Sequence, residues 1–270
     1  MRKLTVYGYC ACVMGILAIA VRICHILFFV DNVDCLSEEK SFSYWTFVAI
    51  FFAATVLAVV LLFVLKKDDF VKIDEVEFKL GRNFAAAFGI VATLACAGYS
   101  VYSGAGFFNS SVAIIVGFLF LSALMCFYYG YVAFAGTDFY KNKTGGAVSI
   151  IPIAYYILKV VTVFLYYTNN NRDFNFKEMI LTNVLLLLFF TYLGKYISTK
   201  KSAKQAYVFG LFAIFAVAAT WLPLILTVRV VPVFETDTAL FLLYAIADIS
   251  AALYAFFAIR TYFNDGKAIK

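Results

Sequence analysis

Long apolar runs separated by short polar segments make up the chain. Each of eight runs is long enough for a helix to cross the hydrocarbon core of a bilayer, which takes roughly 17–25 residues. Turn-forming and charged residues separate the runs. The pattern predicts an all-α, polytopic transmembrane helical bundle that forms a single integral membrane domain over residues 1–270. The eight spans are predicted at about 4–30, 45–65, 84–102, 112–134, 147–167, 179–196, 207–228 and 238–259.

The composition gives a physical reason for this pattern. The 270 residues are 64% hydrophobic and 14% charged, whereas a soluble domain has roughly 45–50% apolar and about 25% charged residues. Such an excess of apolar residues indicates that lipid is the solvent around the fold, so the lipid bilayer is the first expected partner. The short loops and the excess of Lys over Arg, 16 to 6, favour a bacterial cytoplasmic (plasma) membrane as the location.

The distribution of basic residues predicts how the helices are oriented. With eight spans and both termini in the cytoplasm, 16 of the 22 Lys and Arg residues fall on the cytoplasmic side and 4 on the outer side. The remaining two, Arg22 and Lys159, lie within spans. Basic residues accumulate in the cytoplasmic loops of membrane proteins. The bias therefore predicts that the amino and carboxyl termini both face the cytoplasm.

The first span has a second interpretation. Arg2 and Lys3 precede the apolar run, and Ala18-Ile19-Ala20 resembles the cleavage site of a secretory signal peptide. The apolar run continues through Val30, however, which is longer than the apolar region of a signal peptide. An uncleaved first helix is the favoured prediction, and a cleaved signal peptide is the alternative.

Four ionisable side chains lie inside the predicted spans: Arg22, His25, Lys159 and Asp248. A charged group at the bilayer centre costs at least about 2.5–3.5 kcal/mol, so each of these residues is a candidate for function. At a rise of 1.5 Å per residue, Arg22 and Lys159 each lie roughly 12 Å from the outer end of their helices, and Asp248 lies roughly 15 Å from its own. One acid and two bases therefore share a layer in the outer half of the bundle.

This layer is the predicted site. Asp248 is expected to pair with Arg22 or with Lys159, and the positive charge that remains favours a small anionic solute as the ligand. Steps of three and four residues from Lys159 meet Tyr156 and further polar or aromatic residues, which predicts a lined cavity on one helix face. Pro152 in the same span predicts a kink, because it leaves a backbone carbonyl without its helical donor. The candidate site consists of Arg22, His25, Tyr156, Lys159 and Asp248.

Each charge also has a purely structural interpretation. The long side chains of Arg22 and Lys159 can reach the headgroups by snorkelling, with His25 following Arg22. Asp248 is too short to do so, which leaves a buried partner or protonation. A clamp between helices, made by Asp248 and a base, is therefore the alternative to a ligand site.

The sequence lacks the motifs of several classes of enzyme and binding protein. A single histidine and the lack of H-E-x-x-H argue against a zinc protease, and neither a G-x-S-x-G elbow nor a nucleotide-binding glycine loop occurs in a fitting context. Of the six cysteines, five lie in apolar runs and Cys35 lies in a loop, without metal-binding spacing. No basic stretch suits nucleic acid. We expect no metal, no cofactor, no nucleic-acid partner and no enzymatic activity; a membrane enzyme acting on lipid is the third alternative.

Two hypotheses for the function follow. The first is a small-solute permease, or a subunit of a transport complex, with its charged cavity in the outer half of the bundle. The second is a non-transporting membrane scaffold, sensor or assembly partner whose buried charges clamp helices. The densely charged segment 66–83 is a candidate contact for a cytosolic partner, and a solvated loop is the alternative.

Overall fold

The computed structural model describes residues 3–29, 42–65, 80–102, 112–135, 143–169, 176–199, 201–227 and 238–262. Within these ranges every regular element is an α-helix, so the all-α prediction is confirmed. Cys35 and residues 66–79 of the charged segment lie outside the described residues. The partner contact expected at 66–83 therefore stays a prediction.

Nine helices occur in the described part of the chain. In order, they are α1 (Lys3–Phe29), α2 (Phe42–Val64), α3 (Leu80–Tyr102), α4 (Val112–Ala135), α5 (Lys143–Val148), α6 (Ile150–Asn169), α7 (Phe176–Thr199), α8 (Ala203–Thr227) and α9 (Thr238–Tyr262). Several begin three or four residues before the predicted spans, namely α2, α3, α5, α7 and α8. The reason is that backbone hydrogen bonding continues past the apolar run into the residues that flank it.

A single turn at Ser149 divides α5 from α6, and Pro152 explains its position. Proline has no N–H, so the carbonyl of Val148, four residues back, loses its helical donor. The backbone N–H of Ser149 still donates to the carbonyl of Gly145 at 3.1 Å, and the Ser149 hydroxyl donates to the same carbonyl at 2.7 Å. The two helices consequently continue one another as one membrane-spanning segment, Thr144–Leu165.

Seven segments in the described residues are long and apolar enough to cross a membrane, and they comprise α1, α2, α4, α5 with α6, α7, α8 and α9. The remaining long helix, α3, has 23 residues, as α2 does. Its first turn carries Arg82 and Asn83, and its small residues make it less apolar. Because α3 packs between α4 and α9, it belongs to the same bundle as the seven. The chain is therefore a multi-pass helical membrane protein.

Six of the helices form a closed ring. Around it, α3 packs on α4, α4 on α6, α6 on α7, α7 on α8, α8 on α9, and α9 on α3. The other two long helices, α1 and α2, pack on each other and on α8, outside the ring. Burial reflects this arrangement, because 67% of the α8 span is buried inside the protein but only 17% of the α2 span. The ring interior is therefore the part of the molecule best shielded from lipid.

Small residues allow the ring helices to approach closely. A Cβ atom added to Gly194 of α7 would lie 2.9 Å from the Cβ atom of Ser149, between α5 and α6. On α3, a Cβ atom added to Gly89 would lie 2.8 Å from the ring of Tyr129. Close approach of this kind is how helices associate in lipid, where no hydrophobic force drives them together.

Candidate functional site

Lys159 and Asp248 form an ion pair inside the ring. Lys159 lies on α6 and Asp248 on α9, and Lys159 Nζ donates to Asp248 Oδ1 at 2.5 Å. The other carboxylate oxygen, Oδ2, accepts a hydrogen bond from Nε1 of Trp221 on α8 at 3.2 Å. Both charged side chains are only 1% exposed. Three helices therefore meet at one desolvated carboxylate.

Three tyrosine rings surround the ammonium group of Lys159. The Nζ atom lies 4.9 Å from the ring centroid of Tyr244, 5.4 Å from that of Tyr156 and 5.8 Å from that of Tyr155. Helix geometry explains the arrangement, because residues three or four apart share a face. Tyr155 and Tyr156 precede Lys159 at that spacing on α6, and Tyr244 precedes Asp248 on α9. We call these three rings the tyrosine cage.

Further aromatic rings fill the interior on the predicted cytoplasmic side of the ion pair. Phe190 of α7 stacks between Tyr156 and Tyr254, with ring centroids 5.5 and 6.0 Å away. The hydroxyl groups of Tyr254 and Tyr128 are hydrogen bonded at 3.1 Å. Aromatic packing thus closes this side of the site, while the hydroxyls keep polar atoms along the ring interior.

The buried oxygen atoms that have no hydrogen-bond partner among the described residues include three on ring helices α4, α6 and α7: Ser122 Oγ, Tyr155 Oη and Asn183 Oδ1. Their residues are 1–2% exposed. Asn183 lies on the same face of α7 as Phe190, which faces the ring interior, and Ser122 is one turn from Phe118, whose ring centroid is 5.8 Å from that of Tyr155. A buried polar atom without a partner costs about 1–3 kcal/mol, so these three require a physical reason.

Of the two bases expected as partners of Asp248, Arg22 binds a different acid. Its Nη2 atom donates to Oε1 of Glu178, in the first turn of α7, at 3.0 Å. Its guanidinium group also lies over the ring of Phe47 on α2, 4.6 Å from the centroid. The predicted meeting of one acid with two bases is therefore replaced by two separate ion pairs.

His25 belongs with Arg22 rather than with Asp248. Its Nδ1 atom is 3.1 Å from the hydroxyl oxygen of Ser43 on α2, and its ring centroid is 5.8 Å from that of Tyr44. The five candidate residues thus fall into two groups. Tyr156, Lys159 and Asp248 lie together inside the ring, whereas Arg22 and His25 lie where α1 meets its neighbours.

The two groups nevertheless lie at a similar depth. Gly15 of α1 faces Phe215 of α8, since a Cβ atom added to Gly15 would be 3.8 Å from the Phe215 ring. The two helices run in the same direction in the predicted topology. Arg22 lies seven residues after Gly15 on α1. Seven residues after Phe215 on α8 is the position next to Trp221, which binds Asp248, so Arg22 and Trp221 lie at about the same level. Arg22 and Asp248 therefore lie at a similar depth, on different sides of α8.

Two buried or part-buried charges were missed by sequence reasoning. Arg82 is 1% exposed in the first turn of α3, with Nη2 3.4 Å from Asn83 Oδ1, yet the sequence placed it in the charged segment 66–83. Glu178 lies one residue before the predicted sixth span. Both precede an apolar run by less than one helical turn. That proximity is the signal that could have found them, because helices extend into the flanking residues.

A shallow apolar groove lies on the other side of α8, between α1, α2 and α8. It is lined by apolar residues such as Leu57 and Phe212, and none of the residues of the Lys159–Asp248 pair lines it. Among the described residues, no group of three or more His, Cys, Asp or Glu side chains could hold a metal ion. The ion pair in the ring is therefore the most distinctive chemical feature of the described molecule.

No protein-family model, curated protein or solved structure matches the chain. Fold and composition define its class, which is a multi-pass integral membrane protein built as an all-α bundle. Any finer assignment depends on the chemistry of the ring interior.

Proposed function

We propose that the chain is a small-solute permease, or the solute-binding subunit of a transport complex, in a bacterial plasma membrane, and that it has no enzymatic activity. The ring interior is the solute site, with the Lys159–Asp248 pair at its centre. The pair closes the site in the state described above and separates when solute enters. The outer half of the bundle holds this site in the predicted orientation.

The observation that carries the proposal is a set of buried polar atoms on three helices of the ring. Ser122 Oγ of α4, Tyr155 Oη of α6 and Asn183 Oδ1 of α7 have no partner among the described residues, and the Tyr155 ring centroid is 5.8 Å from Lys159 Nζ. A purely structural core would be more stable with apolar side chains at these positions, since each unpaired oxygen costs about 1–3 kcal/mol. Unpaired polar atoms in the same interior as a buried charge pair are expected where a protein binds a polar solute.

A non-transporting role has its own specific support. Both oxygens of Asp248 are hydrogen bonded, one to Lys159 and one to Trp221, and aromatic side chains pack around them. A carboxylate with a hydrogen bond to each oxygen is what a structural clamp between α6, α8 and α9 requires. In this second candidate the chain is a membrane scaffold, sensor or assembly partner, and its charged segment 66–83 contacts a cytosolic protein.

Uptake by the reconstituted full chain distinguishes the two candidates. Proteoliposomes are offered a panel of small labelled cations, anions and neutral solutes, and uptake is compared with empty vesicles. The permease proposal predicts uptake of at least one solute, and at least a tenfold loss in Lys159→Met and Asp248→Asn. Lys204→Met is the matched control, because Lys204 lies on α8 far from the pair, and it should retain uptake.

Two results contradict transport through this site. One is uptake no greater than that of empty vesicles for every solute in the panel. The other is uptake that survives both substitutions in the pair. Loss of a cytosolic partner in a pull-down on deletion of residues 68–78 would then favour the scaffold candidate.

A further inference from the structure

The surroundings of the Lys159 ammonium group are those of a cation site. Three ring centroids lie 4.9–5.8 Å from Nζ, and a carboxylate oxygen lies 2.5 Å away. The face of an aromatic ring carries negative potential, which attracts a cation and repels an anion. A carboxylate strengthens the same preference. The tyrosine cage and Asp248 therefore select for positive charge, and Lys159 supplies it from within the chain.

We propose that the solute bound in the ring is a small organic cation with an ammonium head, and that Lys159 is the tethered occupant that it displaces. This inference rests on the proposed function, since it names the class of solute for the same site. In the closed state Nζ of Lys159 occupies the cage. When an ammonium solute enters, its head group takes the place of Nζ between Asp248 and the three rings.

The displaced lysine needs neutral oxygen acceptors for its N–H donors, because Asp248 then binds the solute, and the ring interior holds two candidates. Gly194 of α7 lies against Ser149, which gives the register of the two helices. Asn183 is eleven residues from Gly194 along α7, and Val160 is eleven residues from Ser149 along the neighbouring helix. Because α6 and α7 run in opposite directions, Asn183 lies at the depth of Lys159. Its Oδ1 atom has no partner among the described residues, as is also true of Tyr155 Oη. These oxygens are the second position for the lysine ammonium group.

The opposite class of solute fits this geometry less well. An anion would have to bind Lys159 and leave Asp248 with only Trp221 as a donor, and it would also face three aromatic rings. The anionic solute that the sequence favoured depended on a second base, Arg22, near the same acid. Arg22 binds Glu178 instead. A small anion is therefore the competing outcome in the test below.

Trp221 provides a reporter at the site. The chain has two tryptophans, and Trp221 donates to Asp248, whereas Trp45 is 60% exposed on α2. In the Trp45→Phe variant, Trp221 is the only tryptophan, so its fluorescence reports on occupancy. The full chain in lipid nanodiscs is titrated at constant ionic strength with n-butylammonium, which reproduces the side chain of lysine, and with butyrate, an anion of similar size.

The proposal predicts a saturable change in Trp221 fluorescence with n-butylammonium and none with butyrate. With Lys159→Met added, the competing cation is gone, so the same change should occur at a concentration at least tenfold lower. Asp248→Asn should abolish it. Should that variant fail to fold, Tyr244→Leu and Tyr244→Phe replace it. Loss of the nearest ring should weaken binding several-fold, whereas loss of the hydroxyl alone should not.

Three results overturn the cation site. These are a saturable response to butyrate but not to n-butylammonium, no response to n-butylammonium in the Trp45→Phe protein, and equal responses with and without Lys159. Failure of the two proposals can be told apart. Binding of n-butylammonium without uptake into proteoliposomes would support the cation site and contradict transport. Uptake of anions alone would support transport and contradict the cation site.

Discussion

The two ion pairs of this protein hold Arg22 and Asp248 at a similar depth but are built differently. The Lys159–Asp248 pair spans 2.5 Å inside the ring, and each side chain is 1% exposed. The Arg22–Glu178 pair spans 3.0 Å between α1 and α7, and Glu178 is 14% exposed. Every group that Asp248 contacts comes from the protein interior. The comparison shows that depth along the membrane does not by itself determine how strongly a charge depends on its partner.

Two features of the Arg22–Glu178 pair make the difference: Arg22 lies on a helix outside the ring, and Glu178 lies close to a helix end. Glu178 lies in the first turn of α7, where the helix dipole favours an acid and the polar headgroup region is near. Its Oε2 atom has no hydrogen-bond partner among the described residues, whereas both oxygens of Asp248 are bonded. Removing one member of the inner pair should therefore leave a charge with no alternative partner of opposite sign among the described residues of the ring.

The largest effect is expected for Asp248→Asn. Breaking a buried pair by neutralising one member leaves the other charge uncompensated, which costs about 3–5 kcal/mol. We expect that loss in the free energy of unfolding, measured by titration of the purified protein with a denaturing detergent. Asp248→Glu, which retains the charge, is the control. A loss below about 1 kcal/mol would mean that the pair is not desolvated as described.

Trp221→Phe should have the next largest effect. It removes the hydrogen bond to Asp248 Oδ2 and keeps an aromatic ring, and a hydrogen bond to a charged group contributes about 1.5–3 kcal/mol. Trp45→Phe is the matched control, because an exposed substitution usually changes stability by about 0.5 kcal/mol or less. Equal losses for the two tryptophans would contradict the assignment of Trp221 to the site.

Glu178→Gln should cost less than either change in the ring. Because Arg22 is 2% exposed and Glu178 is 14% exposed, the pair should contribute about 1–2 kcal/mol, more than a surface ion pair and less than a fully buried one. High salt should reduce this contribution but leave the effect of Asp248→Asn unchanged, since buried charges are poorly screened. An equal loss in the free energy of unfolding for Glu178→Gln and Asp248→Asn would contradict the difference between the two pairs.

The smallest effect is expected for Tyr155→Phe. The Tyr155 hydroxyl is buried without a partner among the described residues, so its removal should stabilise the protein slightly, by up to about 1 kcal/mol. Tyr254→Phe, which breaks the hydrogen bond to Tyr128, should instead destabilise it by about 1 kcal/mol. A loss of stability in Tyr155→Phe would show that its hydroxyl already has a partner.

The hydropathy pattern was sufficient to predict the fold class, because the length and apolarity of each span can be read from the local sequence. It could not predict which helices are neighbours. Lys159 and Asp248 meet because α6 and α9 belong to one ring, while α1 lies outside it, and that choice depends on how small residues such as Gly194 and Gly89 let helices pack. The pairing of Asp248 was therefore left open between two bases.

The ends of the helices were the second source of error. Arg82 and Glu178 were placed outside the spans because their polarity ends the apolar run, although the helices continue through them. Hydropathy marks where lipid contact ends, whereas backbone hydrogen bonds decide where a helix ends. The orientation with both termini in the cytoplasm stays a prediction, and reporter fusions to successive loops would test it.

The central claim is that Lys159 and Asp248 act as one electrostatic unit inside the ring, and a double-mutant cycle tests it most directly. The free energy of unfolding is measured for the wild type, Lys159→Met, Asp248→Asn and the double variant. The account predicts a coupling energy of at least about 2 kcal/mol, with the double variant more stable than either single variant. Losses that add to within about 0.5 kcal/mol would contradict it.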